Sequence, residues 1–150
     1  MLDQAGDNLA RGFNRLYTHW FLRSMKPKVL SRPVEYAAVI KTGRVAQAYT
    51  MREYDDAYTA PVHGFRDVDD YWHSCSAARF LHGIMVPSLI IHARNDPFLP
   101  ASLLGEISAS PAVTFELTTS GGHAGFTSGR FPGNGAWLPA RLLRFFDSQR

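Results

Sequence analysis

The sequence has few of the features that mark secreted, membrane-spanning or disulfide-stabilised proteins. Its single cysteine, Cys75, excludes a disulfide within the 150-residue chain, which fits a reducing compartment. No apolar run approaches the roughly 20 residues that span a bilayer as a helix. Near the start, Asp3 and Asp7 occupy the region where a signal peptide is basic and then apolar. We therefore expect a soluble cytoplasmic protein with no transmembrane segment.

Signatures of phosphate and metal binding are also missing. The chain contains neither G-x-G-x-x-G nor G-x-x-x-x-G-K-[ST], the glycine-rich loops that cradle phosphates. Its histidines show no H-x-x-x-H spacing, and a C-x-x-C pair is impossible with one cysteine. The adjacent Asp55 and Asp56 have no second cluster of oxygen ligands at metal-loop spacing, so we interpret them as residues that order a turn. We predict no cofactor and no metal.

The positive charge is concentrated in the first third of the chain. The net charge of +3 rests mainly on arginine, and the basic residues of this region include Arg11, Arg15, Arg23, Lys26, Lys28 and Arg32. A basic face of this kind fits nucleic acid or anionic lipid, although it is more often the solvated side of helices. No recognisable nucleic-acid module accompanies it, so we predict no nucleic-acid partner.

Two short apolar runs predict a pair of parallel strands. Residues 88–93 and 113–118 are rich in Leu, Ile, Val and Phe and are bounded by Pro, Gly and Asn. The segment between them, 99–111, is long enough for a crossover helix, which makes a right-handed strand-helix-strand unit. The turns that follow both strands then lie at the same carboxyl edge of the sheet, where open α/β folds bind their ligands.

Each of these turns carries one ionisable residue. Asp96 follows the first strand, and His123 follows the second between glycines. We expect the two side chains to meet, because a carboxylate that accepts a hydrogen bond from one ring nitrogen leaves the other nitrogen free to take a proton from a nucleophile. On spacing alone an equally good interpretation is structural, with Asp96 capping the next helix and His123 ordering its loop.

The rest of the chain is predicted to be mostly helical. Residues 7–25 carry an aromatic apolar stripe and should form a helix that Pro27 ends. Core packing is the favoured role for that stripe, with contact to a membrane surface or acyl chain as the alternative. We further expect helices at 34–40 and 45–54 and a loop over 55–65.

Two more helices are predicted after that loop. Asp67 or Asp69 should cap a helix that runs to Leu81 with Cys75 on its inner side. A terminal helix should begin at about Trp137 and tolerate Pro139 in its first turn. Its side chains expected against the sheet are Leu138, Leu142, Phe145 and Phe146.

Taken together, these motifs resemble the C-terminal portion of an α/β-hydrolase, in its YheT-like branch. The resemblance spans most of the chain in the family's order and lies in Met51–Asp56, Thr59–Phe65, Asp70–Trp72, Ile84–Phe98, Gly121–Phe126 and Trp137–Leu138. It implies an α/β fold class with an incomplete sheet, in one partial domain over 1–150. Residues 1 to about 83 would be a helical lid or flanking region, and about 84–150 would hold the last two parallel strands and the terminal helix.

The resemblance also implies an activity. Asp96 and His123 would be the acid and base of a Ser-Asp-His triad that hydrolyses carboxylic esters, with acyl or lipid-like esters as one option. The expected partner is a small-molecule ester, and no cofactor is implied. The particular ester is not predicted, because the pocket around the nucleophile is not represented.

One part of the family pattern is missing from the sequence. The nucleophile of such enzymes lies in a G-x-S-x-G elbow, which this chain lacks, and Ser74, Ser76, Ser120 and Ser128 do not lie in a strand-to-helix turn. We therefore predict that the chain alone is inactive and is a hydrolase fragment: a truncated product, an incomplete sequence or one part of a split enzyme that uses its missing N-terminal half. The alternative is a non-catalytic binding or assembly module.

Overall fold

The chain divides after residue 76 into a helical unit and a unit built on two strands. The computed structural model describes residues 2–32, 38–100, 102 and 107–150. The helical unit is Met1–Ser76 and the strand unit is Ala77–Arg150. None of the helices in the described ranges combines the length and hydropathy needed to cross a membrane.

Six α-helical segments make up the described part of the helical unit. They are α1 (Leu2–Leu9), α2 (Asn14–Leu30), α3 (Thr42–Gln47), α4 (Met51–Tyr54), α5 (Ala60–Val62) and α6 (Val68–Cys75). A π-helical turn, Asp55–Thr59, joins α4 to α5 without a break. The loop predicted over 55–65 is therefore wrong for most of its length. The proline in this segment is compatible with helix because Pro61 lies in the first turn of α5.

The single helix predicted over 7–25 is observed as two helices, α1 and α2, and α2 ends later than predicted. Gly12 adopts a positive φ of 51° between α1 and α2, a conformation that glycine takes without a steric cost. The prediction that Pro27 ends the helix is wrong, because α2 continues through it to Leu30. Pro27 lacks its own N–H, but its carbonyl still accepts from the backbone N–H of Ser31 at 2.9 Å. One missing donor on an exposed side is therefore tolerated.

A compact apolar core lies under α2 and the segments after it. Its buried members are Leu22, Val29, Ile40, Val45, Ala48, Tyr54 and Ala57. The buried stripe of α2 consists of Thr18, Leu22 and Val29. Phe13 and Trp20 instead lie on another face and are 73% and 66% exposed, so the expectation that they pack in the core is wrong. The aromatic stripe and the packing stripe of this helix are different sets of residues.

Two further helix predictions are partly corrected. The helix expected over 45–54 is replaced by α3 and α4, because Ala48 is extended and Thr50 begins a new helix with a capping box to Glu53. Of the segment expected at 34–40, residues 33–37 lie outside the described part of the chain, and residues 38 and 39 form a turn.

The α6 helix starts as predicted and ends early. Asp67 is its N-cap, and its side chain accepts from the backbone N–H of Asp70, which confirms the capping prediction. The helix ends at Cys75 because Ser76 is extended, and two 3-10 turns, Ala77–Arg79 and Leu81–Gly83, replace the expected continuation. Cys75 is exposed, so its predicted inward orientation is wrong.

The strand unit contains the predicted parallel pair. Strands β1 (Ser88–Ala93) and β2 (Val113–Thr118) pair in parallel, with Ser88 opposite Val113 and Ala93 opposite Thr118. Both strands therefore end level with each other, and the turns after them emerge at the same edge. Of the crossover helix predicted over 99–111, residues 101 and 103–106 lie outside the described part of the chain, and residues 107–110 form no regular element.

The terminal helix begins where the sequence predicts. Helix α7 covers Trp137–Asp147, with Pro139 in its first turn. Arg141 forms an ion pair with Glu116 of β2, which attaches the helix to the sheet. The prediction that Phe146 packs on the sheet is wrong, since it is 61% exposed. The described residues thus combine helices with a two-stranded parallel sheet, which is compatible with a partial α/β fold.

Candidate active site

The turn after β1 buries one carboxylate and surrounds it with donors. Asp96 closes the turn, its backbone N–H donating to the carbonyl of Ala93 at 3.1 Å. Its side chain is 2% exposed. One oxygen, Oδ1, accepts from the backbone N–H groups of Phe98 at 2.7 Å and Leu99 at 3.2 Å. These two bonds orient the carboxylate so that Oδ2 is available to a side chain.

The turn after β2 is a tight loop that requires glycine at its first position. The backbone N–H of Phe126 donates to the carbonyl of Gly121 at 2.8 Å and closes the loop. A Cβ on Gly121 would lie 2.6 Å from the Phe126 ring, so a side chain cannot be accommodated without displacing that ring. Gly122 has a φ of +63°, which disfavours other residues. His123 is carried at the top of this loop.

The two predicted site residues lie in direct contact. Nδ1 of His123 is 3.0 Å from Oδ2 of Asp96. Because an ionised carboxylate can only accept, Nδ1 carries the shared hydrogen, and the neutral ring has its lone pair on Nε2. The His123 side chain is 58% exposed, and its ring rests edge-on against Phe98 with centroids 4.8 Å apart. Nε2 makes no hydrogen bond within the described residues, so a second group can reach it.

The pKa of Asp96 reflects two opposed influences. Burial raises the pKa, because it disfavours the charged carboxylate, while hydrogen bonds from His123, Phe98 and Leu99 lower it. The hydrogen bonds and the nearby imidazole prevail, so the pKa of Asp96 lies below its ordinary value. Asp96 is therefore ionised at neutral pH and can stabilise a protonated imidazole.

Asn95 is a site residue that the sequence reasoning did not single out. Its Oδ1 accepts from the backbone N–H of Gly121 at 2.9 Å and of Gly122 at 3.0 Å. One side chain on the acid turn thus fastens the histidine turn by two bonds, beside the Asp96–His123 contact. The signal available in the sequence was its position immediately before the acid, where Asn is common in turns for local reasons alone.

His92 was also missed. It lies at the end of β1, and its Nε2 is 2.9 Å from the carbonyl oxygen of Leu99. Since a carbonyl only accepts, Nε2 carries a hydrogen. Its Nδ1 is 3.7 Å from Oδ2 of Asp96. A second imidazole therefore borders the carboxylate from the strand side and holds the segment that follows the acid.

No nucleophile is found beside His123 in the described part of the chain. The Ser128 hydroxyl donates to Oδ1 of Asn134 at 3.4 Å rather than to the histidine. Ser76 has a buried hydroxyl without a partner, but it belongs to the helical unit. Within the same described residues, no group of three or more His, Cys, Asp or Glu side chains forms a metal site.

Sequence comparison relates the chain to esterases and lipases. YheT of Escherichia coli K12, named as an esterase, is 34% identical over 145 residues, which cover 95% of this chain and 43% of YheT. Phospholipase ABHD3 of Mus musculus is 31% identical over 95% of this chain and 35% of its own length. Monoacylglycerol lipase of Saccharomyces cerevisiae is 29% identical over 64% of this chain and 21% of its own length.

These relationships define the class of protein. No family model matches the chain, and no solved structure gives a significant match. The relatives are α/β-hydrolases, and the chain corresponds to their C-terminal part. The chain belongs to the α/β-hydrolase superfamily. The similarity to YheT covers 95% of this chain. The chain itself spans less than half of the length of each relative described above.

Proposed function

We propose that this chain provides the acid and the base of a serine hydrolase that acts on carboxylic esters. Asp96 is the acid and His123 is the base. The observation that carries the proposal is the 3.0 Å contact between His123 Nδ1 and Asp96 Oδ2 at the carboxyl edge of parallel strands. The names of the relatives, which include an esterase, a phospholipase and a lipase, support an ester as the substrate.

In the proposed mechanism each group has its own step. His123 accepts the proton of an attacking serine hydroxyl on Nε2 and then donates it to the leaving alcohol oxygen, so that an acyl-enzyme forms as the ester C–O bond breaks. Asp96 keeps the Nδ1 hydrogen in place and stabilises the imidazolium between these transfers. The same pair then activates water, which releases the carboxylic acid and returns the proton to serine.

The serine itself has to come from sequence outside these residues. The 150 residues contain no G-x-S-x-G elbow. In the proposed arrangement, the elbow serine and the oxyanion-hole amides belong to the N-terminal region that the relatives possess. The exposure of His123 supports this arrangement, since its side chain is 58% exposed while its Nδ1 contacts Asp96.

A chimera tests the proposal directly. This chain would replace the matching C-terminal region of Escherichia coli YheT, and hydrolysis of a p-nitrophenyl ester would be measured. We expect an active chimera in which His123→Ala lowers kcat by about 10⁶-fold and Asp96→Asn by about 10⁴-fold. The Asn side chain turns an N–H₂ group toward Nδ1, which favours the tautomer with hydrogen on Nε2 and removes the base.

Matched controls separate catalysis from folding. His82→Ala changes an exposed histidine of the strand unit and should leave kcat unchanged. An active chimera that tolerates His123→Ala would refute the assignment. The chain by itself should show no stoichiometric labelling by a serine-directed fluorophosphonate. An adduct on one of its own serines would overturn the claim that the nucleophile lies elsewhere.

A further inference from the structure

One face of helix α2 is apolar, aromatic and exposed. Its members, with their exposed fractions, are the N-cap residue Phe13 73%, Leu16 52%, Tyr17 39%, Trp20 66% and Phe21 39%. Leu16 and Trp20 are one helical turn apart, as are Phe13 and Tyr17, and so the five side chains form a continuous strip. We call it the aromatic strip.

The aromatic strip is not the part of α2 that holds the helical unit together. The packing face of the helix is formed by Thr18, Leu22 and Val29, which are 2%, 4% and 4% exposed. A large aromatic such as Trp20 costs free energy when left in water, since it exposes apolar area of the order of 150–250 Å² when free of contacts. The exposed area of the strip therefore adds little to the stability of the helical unit, which points to an external contact.

Basic residues border the strip on one side. Arg15, His19 and Arg23 follow one another at successive helical turns and, with Lys26, line an open cleft of about 650 Å³. Tyr49 also lines the cleft, and the ammonium of Lys26 lies 5.4 Å from the centre of its ring. No acidic residue occurs between Asp7 and Glu35. This stretch of helix α2 therefore carries only positive charge, and the one carboxylate near it is Glu53, which accepts from the backbone N–H of Tyr49 at 2.7 Å within the described residues.

This combination matches the chemistry of an anionic membrane surface. Aromatic side chains are favoured at the boundary between headgroups and acyl chains, and arginines beside them attract lipid phosphates. We propose that α2 docks on anionic phospholipid, with the aromatic strip inserted at the boundary and the basic cleft receiving phosphate groups. A nucleic acid would use the arginines, but it offers no apolar layer for a continuous strip that includes Leu16.

The proposed membrane docking does not depend on the catalytic roles proposed for Asp96 and His123. A protein held flat on a membrane by one helix samples lipid at a high local concentration. The strip and the cleft belong entirely to the helical unit. The proposal therefore stands or fails separately from the assignments of Asp96 and His123.

Vesicle sedimentation with the full chain tests the proposal. We expect firm binding when about a third of the lipid is phosphatidylglycerol and weak binding to phosphatidylcholine alone. The Arg15→Gln, Arg23→Gln double variant should bind the anionic vesicles about tenfold to thirtyfold more weakly. The Trp20→Ser variant should also lose most of its binding, because it removes the largest apolar group of the strip.

A matched control variant has the same net charge as the Arg15→Gln, Arg23→Gln variant, but it loses its two positive charges from another part of the chain. The Arg130→Gln, Arg144→Gln double variant also removes two positive charges, from exposed positions of the strand unit, and should bind within about twofold of the parent. Circular dichroism checks that each variant is folded. The parent chain alone gives an independent test, because its binding should fall steeply between about 50 and 500 mM salt.

Several results would overturn the proposal. Equal binding to neutral and anionic vesicles would remove the role of the basic cleft, and an equal loss in the control variant would show that only net charge matters. Self-association of the parent chain that disappears in Trp20→Ser, without vesicle binding, would assign the strip to a second copy. Tighter binding to a single-stranded oligonucleotide than to anionic vesicles would assign the face to nucleic acid.

Discussion

The helical unit contains a half-buried aspartate, Asp55, and the strand unit a buried one, Asp96, and their pKa values shift in opposite directions. Asp55 accepts from Thr59 Oγ1 at 2.6 Å and from Trp72 Nε1 at 2.8 Å. Burial raises the pKa of Asp55, and these two hydrogen bonds do not offset it. Burial also raises the pKa of Asp96, but there the imidazole of His123 and two backbone amides lower it further than burial raises it.

The contrast shows how the type of hydrogen-bond donor sets the direction of a carboxylate's pKa shift. A hydroxyl and an indole N–H are neutral donors whose charge does not respond to the carboxylate. An imidazole can become a cation, so its interaction with an ionised carboxylate is stronger. The donors around Asp96 lower its pKa below the ordinary value, whereas the neutral donors to Asp55 leave its pKa above the ordinary value.

The largest expected difference in stability comes from removing the charge of each aspartate. Asp96→Asn should lower the free energy of unfolding by about 2–3 kcal/mol at pH 7, because an amide cannot accept from His123 while keeping both backbone donors. Asp55→Asn should cost under about 1 kcal/mol, since its amide can donate to Thr59 and still accept from Trp72. Urea unfolding would measure both. Equal losses would remove the contrast.

Gly121→Ala should break the histidine turn while leaving the helical unit intact. The added methyl would meet the Phe126 ring at 2.6 Å and Ala93 Cβ at 3.0 Å, and overpacking of this kind costs about 1–3 kcal/mol. Trp137 stacks on Phe126, whereas Trp72 is buried in the helical unit, so their indole NMR signals report on the two units separately. Only the Trp137 signal should shift. Gly83→Ala, which meets no atom within 4 Å, is the control.

Asn95→Ala should loosen the same turn by a smaller amount. It removes the acceptor of the Gly121 and Gly122 amides, for which we expect a loss of about 1–2 kcal/mol. Asn95→Asp keeps that acceptor and should restore most of the stability. The His123 Nδ1 proton resonance should weaken or broaden in the alanine variant. If it is unchanged while stability falls, then Asn95 does not help to position the histidine.

The smallest effect concerns pH and has opposite signs in the two units. Because the folded-state pKa of Asp96 is below the unfolded value of about 3.9, its contribution is full above that pH and is lost as pH falls through the folded pKa. The raised pKa of Asp55 makes its contribution greatest below the unfolded value, and this is lost as pH rises.

The check is a series of unfolding measurements from about pH 3 to pH 7. The cost of Asp96→Asn should grow as pH rises, whereas that of Asp55→Asn should shrink. Slopes of the same sign in both variants would contradict the pKa directions on which the comparison of the two units rests.

Much of the strand unit was readable from the sequence. Two β-rich runs of six residues, each bounded by turn formers, predicted the parallel pair because strand formation and turn chemistry depend on neighbours along the chain. The same local logic predicted the Asp67 cap and the start of the helix at Trp137. The catalytic roles of Asp96 and His123, the arrangement in one partial domain and the cytoplasmic location stay predictions.

Tertiary structure decided the features that depend on residues far apart in sequence. Apolar spacing marked Phe13 and Trp20 as core, yet which face of α2 is buried depends on where Val45 and Tyr54 pack. Local rules likewise could not show that Asn95 reaches across to Gly121 or that Asp55 and Asp96 acquire opposite pKa shifts. The burial of a side chain and the number of its hydrogen-bond donors depend on residues that are close in space but distant in sequence. Local sequence patterns therefore do not predict them.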